Sequence, residues 1–143
     1  GEDSSPINRS VAQIGVGGTW LTDLDYLMNN GVSLKGNSTG TTNTGENYSH
    51  YMFGSSGSEI VYYLNGKYSS ISGLWTICQT NRDTNKNNSF ELYADEVLVY
   101  SSPALTGGDL PITFDVGING CQKLKIVFTA GNGAGELGNI SLK

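Results

Sequence analysis

At 143 residues the chain is long enough for one domain with a substantial core. Its formal net charge of −5, with eight Lys and Arg and none of them in a run, excludes the clustered positive surface on which nucleic-acid binding rests. No apolar stretch approaches the length of a membrane span, and two cysteines are too few for a disulfide scaffold or a structural zinc site.

The first ten residues, GEDSSPINRS, are acidic and polar, unlike a signal peptide, and read as a flexible tail or linker before a single domain at 11–143. Residues 11–17 (VAQIGVG) suit a short strand broken by glycines. Residues 21–31 (LTDLDYLMNNG) carry the one credible helix. Thr22 can cap it, Asp23 and Asp25 suit the positive end of its dipole, Leu21 and Tyr26 can staple it, and Gly31 closes it. VSLKG suits a strand, and the polar run 37–47 (NSTGTTNTGEN) has no hydrophobic period and suits a long surface loop.

From Tyr48 onwards the pattern is β. YSHYMFG is followed by SEIVYYLNGKYSSISGLWTI, in which Asn65-Gly66 fits the two-residue turn of a hairpin. In that segment Ile60, Tyr62 and Leu64 alternate with Val61 and Tyr63, so that both faces are apolar. SFELYADEVLVYSS turns near Asp95-Glu96. In LPITFDVGINGCQKLKIVF, Ile112, Phe114 and Val116 face one way and Leu124, Ile126 and Phe128 answer in the next strand. NISL supplies a last strand. Eight or more short strands with frequent turns predict an antiparallel β-sandwich, all-β apart from the short N-terminal helix.

The stretch 83–88 (DTNKNN) has oxygen-bearing side chains at the first, third and fifth places of a calcium loop. Its twelfth position is Ala94 where an EF-hand needs a bidentate Glu, and its flanks read as strands rather than helices. It is therefore a loop between strands. Cys78 and Cys121 each lie in or beside an apolar strand, which leaves two readings: a pair of small buried residues, or one bridge joining two strands in an oxidising compartment.

One histidine, His50, and no nucleophile motif argue against catalysis, and Asp23 with Asp25 on a short helix suits dipole partners better than a general acid and base. Sugar recognition needs aromatic planes for apolar ring faces and fixed polar groups for hydroxyls. Two loops supply the mixture: NYSHY, with Tyr48, His50 and Tyr51, and QTNRDTNKNN, with Asn81, Arg82, Asp83 and Asn85. Trp75 sits mid-strand and suits the core, and Trp20 suits packing beside the helix cap.

The order of WLTDLDYL, EIVYYLNGKYSSISG, SFELYADEVLVYSSPALTGGDLPITFDVGINGCQKLKIVF and ELGNISL resembles the NPCBM family, carbohydrate-binding modules related to family 51, over most of Trp20 to Leu142. The resemblance implies a galactose-binding-like jelly roll. It implies a noncatalytic module of a secreted or surface bacterial protein, extracellular and part of a larger multidomain chain, whose partner is a glycan, in some members galactose-containing. It needs no cofactor, but such folds often hold a structural calcium, for which Asp23 or Asp25 with Glu136 would supply the carboxylates. The other reading is a structural or adhesive β-domain of a cell-surface protein without sugar binding.

Overall fold

The computed structural model describes residues 18–143, so the tail at 1–10 and the strand expected at 11–17 lie outside the described residues. Alternating apolar side chains impose a two-layer arrangement, since each strand has one face to bury. The strands are β1 (Thr19–Trp20), β2 (Met28–Asn30), β3 (Ser33–Thr41), β4 (Asn47–Ser55), β5 (Glu59–Tyr63), β6 (Ser70–Ile77), β7 (Ser89–Ala94), β8 (Val97–Ser101), β9 (Ile112–Gly117), β10 (Lys123–Ala130) and β11 (Asn132–Leu142). One sheet has the order β3-β4-β11-β6-β9, with β1 also pairing β11, and the other the order β2-β5-β10-β7-β8. All these pairings are antiparallel, giving the expected all-β jelly roll.

The answering apolar rows meet across the sandwich rather than within one sheet. Phe114 and Val116 of β9 face inward from the first sheet, and Leu124, Ile126 and Phe128 of β10 from the second, all buried. Trp75 of β6 is fully buried, set edge-on to Phe90 at 4.8 Å, and its indole nitrogen donates to Pro103 O at 3.1 Å. The indole is satisfied, as a core tryptophan must be.

The N-terminal helix does not form. Leu21–Asp23 makes a single 3-10 turn without a side-chain cap, and Met28–Asn30 is instead an edge strand paired to β5. Leu21 is buried whereas Tyr26 and Leu27 are exposed, so the apolar residues do not share a helical face, and pairing with β5 outweighs local propensity. Among the described residues no helix is long and apolar enough to cross a membrane.

Asn65 and Gly66 both have positive φ and turn the chain, but β5 and β6 belong to different sheets, so this is a crossing and not a hairpin. The two-residue hairpin turn belongs to Asp95 (φ 49°) and Glu96 (φ 67°), with Ala94 opposite Val97. At one end of the sandwich the loops after β3, β6 and β8 meet, through the Thr42–Cys78 and Asn88–Leu105 bridges. The other end holds residues 64–69 against 118–122, through Gly66 N to Cys121 O and Ile118 N to Ser69 O.

The two cysteines sit at these opposite ends, both buried and both free. The eight residues of β6 lie between them, roughly 25 Å of extended chain, whereas a disulfide needs Cα atoms within about 7 Å. The bridge is excluded and the pair of buried thiols is what remains.

Candidate functional site

The polar run expected as a surface loop is instead the far half of β3 and the turn into β4. That turn is closed by Thr42 N to Glu46 O at 2.7 Å, with Gly45 at φ +101°, and Thr42 and Thr44 donate their hydroxyls to the Glu46 carboxylate. These two hydrogen bonds hold the Glu46 carboxyl below its usual range.

The hairpin does not stay flat. His50 has φ 50°, and the β3–β4 register shifts between Lys35 and Thr39, the signature of a bulge. The bulge brings Tyr48 and Tyr51 together on the outer face, edge to face at 5.3 Å. Beyond it the hairpin tip folds back across β11 to β6, where Asn43 N donates to Ile77 O at 2.9 Å and the Asn43 amide donates to Gly107 O and Asp109 O. Two glycines permit this. A Cβ on Gly40 would lie 2.5 Å from the Tyr48 ring and one on Gly138 2.6 Å from it, so the ring fits only between bare backbones.

Under this folded tip lies Glu136. Its neighbour Leu137 is fully buried in the core, so alternation sends Glu136 to the outer face, where the tip leaves it only 8% exposed. Tyr48 Oη donates to Glu136 Oε1, and the Cys78 thiol lies between that carboxylate and Asn81 Oδ1, 3.1 Å away. Burial pushes the Glu136 carboxyl above its usual range, against the pull of Tyr48, Cys78 and the Lys35 charge. Burial first, and then the Glu136 charge, raise the Tyr48 phenol, which stays a proton donor.

Beside Glu136 a half-open recess of about 220 Å³ is lined by Thr39, Gly40 and Thr41 of the hairpin, Tyr51, and Cys78, Gln79 and Thr80 at the end of β6. It combines a carboxylate acceptor, hydroxyl and amide groups that donate and accept, and an aromatic ring, with no cationic side chain among the described residues that line it. That set matches neutral polyhydroxylated rings.

Of the residues singled out in the sequence, Tyr51 lines the recess and Tyr48 stands behind it holding Glu136. Asn81 is one step back, accepting from Cys78, and Arg82 donates to Gln79 O at 3.0 Å, which orders the lining loop. Asp83 and Asn85 are exposed on the loop and not in the lining. His50 turns away and stacks on Trp20 at 4.1 Å and 8°. The loop 83–88 is closed by Asn88, 1% exposed, whose Oδ1 accepts from Gly135 N and whose Nδ2 donates to Lys86 O. Glu136 belongs with Tyr48, not with Asp23 and Asp25; among the described residues no three His, Cys, Asp or Glu gather as a metal needs.

Sequence reasoning missed Thr39, Gly40, Thr41, Gln79 and Thr80, which have no motif, and gave Glu136 a different role. Its one signal was an acidic residue alternating with core residues in the last strand.

The family described as "NPCBM/NEW2 domain" matches residues 15–139. No curated protein matches the sequence. Among solved structures, the CBM51 from Clostridium perfringens GH95 in complex with methyl-galactose is 26% identical, covering 88% of this chain and 99% of that one, with a TM-score of 0.71. The CBM51-2 and INT domains of Clostridium perfringens ZmpB are 18% identical over 87% of this chain, with a TM-score of 0.72, and the match spans 31% of that chain. The tandem CBM51 modules of Sp3GH98, the family 98 glycoside hydrolase from Streptococcus pneumoniae, are 18% identical over 89% of this chain and 47% of theirs, with a TM-score of 0.72. The last two share the fold.

Proposed function

The chain belongs to the NPCBM/NEW2 domain family, and from that premise we propose that it is a noncatalytic carbohydrate-binding module whose recess beside Glu136 takes one neutral sugar ring. The observation that carries this reading is a buried carboxylate held by Tyr48 at the wall of an open recess, with Tyr51 beside it. An ionised carboxylate accepts from two adjacent hydroxyls, the ring's apolar face packs on Tyr51, and Gln79 and Thr80 reach the remaining hydroxyls. The absence of a cation from the lining favours a neutral sugar over an acidic one. Galactose is the first ligand to test, because the GH95 module that resembles this chain over nearly its whole length was solved with methyl-galactose.

A shallow recess buries little surface, so affinity should fall at roughly 10 µM to 1 mM, about −7 to −4 kcal/mol. Useful retention then comes from other sites on a parent protein through effective concentration, which fits an extracellular, multidomain setting; the ZmpB and Sp3GH98 modules each stand beside a further domain or module in their chains. The test is calorimetric titration with methyl-galactose and a glycan array, each repeated with Glu136→Gln. Saturable binding lost in the variant supports the module. No binding by folded protein at millimolar sugar would favour a structural or adhesive domain.

A further inference from the structure

We propose that the opposite end of the sandwich carries a separate saccharide subsite, one that takes a sugar bearing a carboxylate. A recess of about 270 Å³ opens there, with Leu24 and Leu64 as floor, Tyr63 and Tyr68 as aromatic walls, and Asn65 and Lys67 at the rim. Tyr63 is 53% exposed, so a planar aromatic face stands free beside an apolar floor.

The rim is preorganised. Asn65 and Gly66 have positive φ, the turn is closed by Lys67 N to Leu64 O at 3.2 Å, and Leu64 N and Gly66 N are tied to Gln122 O and Cys121 O. The Tyr63 hydroxyl lies 3.2 Å from both Asn65 Oδ1 and Gln122 Oε1. The phenol has one proton, so it donates to one of these amides while the other turns its nitrogen to the phenol oxygen; in either arrangement the Asn65 amide, at the rim, keeps an N–H for a ligand.

Lys67 has no ion-pair partner among the described residues, in a chain of net charge −5. A Lys67 ammonium without a partner among the described residues, beside two tyrosines and the Asn65 amide, is complementary to a pyranose carboxylate: a charge-assisted bond to Lys67, ring packing on Tyr63 or Tyr68, and a hydroxyl on the amide. The recess beside Glu136 has the reverse polarity. The eight residues of β6 put roughly 25 Å between the two, so they cannot form one cleft for adjoining sugars. This second subsite stands on its own residues and does not depend on the reading of the first.

The experiment is an amide-shift NMR titration of the chain with glucuronic acid, with glucose and acetate as the uncharged-sugar and bare-carboxylate controls. Expected are saturating shifts at Leu64 to Tyr68 and Gln122, weaker by about ten-fold for glucose and for Lys67→Gln, and unchanged in Glu136→Gln. Lys67 is exposed, so its substitution should leave the fold intact. The proposal is overturned by absent shifts, by equal affinity in Lys67→Gln, by acetate reproducing the shifts, or by their loss in Glu136→Gln.

Discussion

Tyr48 and Glu136, 88 residues apart in the chain, meet through a hydrogen bond from phenol to carboxylate on the outer face of the first sheet. The bond exists because the β3–β4 hairpin folds back at His50 and lays the Tyr48 ring between Gly40 and Gly138. A carboxylate kept this dry opposes folding, a cost that binding in the recess would explain.

Replacing Glu136 by Gln should therefore stabilise the fold and abolish sugar binding. A carboxyl whose folded pKa is raised contributes stability that is present below its unfolded pKa and lost as pH rises through the folded value. At about pH 7 the ionised group is a liability that Gln removes, and melting should rise by a few degrees; at about pH 3 the variant should gain nothing. Sugar affinity of the native chain should fall as pH drops through the raised Glu136 value. Melting curves at the two pH values and a titration series check all three.

Tyr48→Phe keeps the ring but strips the buried carboxylate of its donor, at a cost of about 1–3 kcal/mol. In a Glu136→Gln background the cost should shrink, because an amide left without that donor is less demanding than a carboxylate, and a double-mutant cycle measures the difference. Gly138→Ala should cost a similar 1–3 kcal/mol for another reason: the added methyl meets a ring that Gly40 hems in from the far side.

Both cysteines should be fully alkylated in unfolded protein and react slowly in the folded state. They should differ in one respect. Cys78 lines the recess, whereas Cys121 sits at the other end, with burial pushing its thiol up. Methyl-galactose should protect Cys78 from alkylation and leave Cys121 unchanged, as peptide mass mapping would read. Equal protection of both would point to global stabilisation rather than occupancy of the recess.

The layers and most strands were legible because alternation is a local signal: Phe114 and Val116 read as a row answered by Leu124, Ile126 and Phe128, and all five are buried. The helix at 21–31 was misread because cap and dipole signals are also local, whereas the pairing of Met28 to Val61 is not. The site was legible only in part. Tyr48 and Tyr51 were visible as aromatics in a polar stretch, but their sharing a face depends on the bulge at His50. Glu136 could not be joined to them without the hairpin's fold back over β11, a long-range contact without a composition.

The sharpest discrimination lies between Tyr51→Ala and Asp83→Ala. Tyr51 lines the recess and its ring is the only aromatic plane there among the described residues, so its truncation should weaken sugar binding about ten-fold or more. Asp83 is exposed on the neighbouring loop, where truncation changes stability by less than about 0.5 kcal/mol, and binding should not change because the side chain is absent from the lining. Parallel titration and melting of the two variants reads both effects. If Asp83→Ala were to abolish binding while Tyr51→Ala left it intact, the sugar would sit on the exposed loop after β6, and the buried Tyr48–Glu136 pair would be a strut for the hairpin with no ligand to serve.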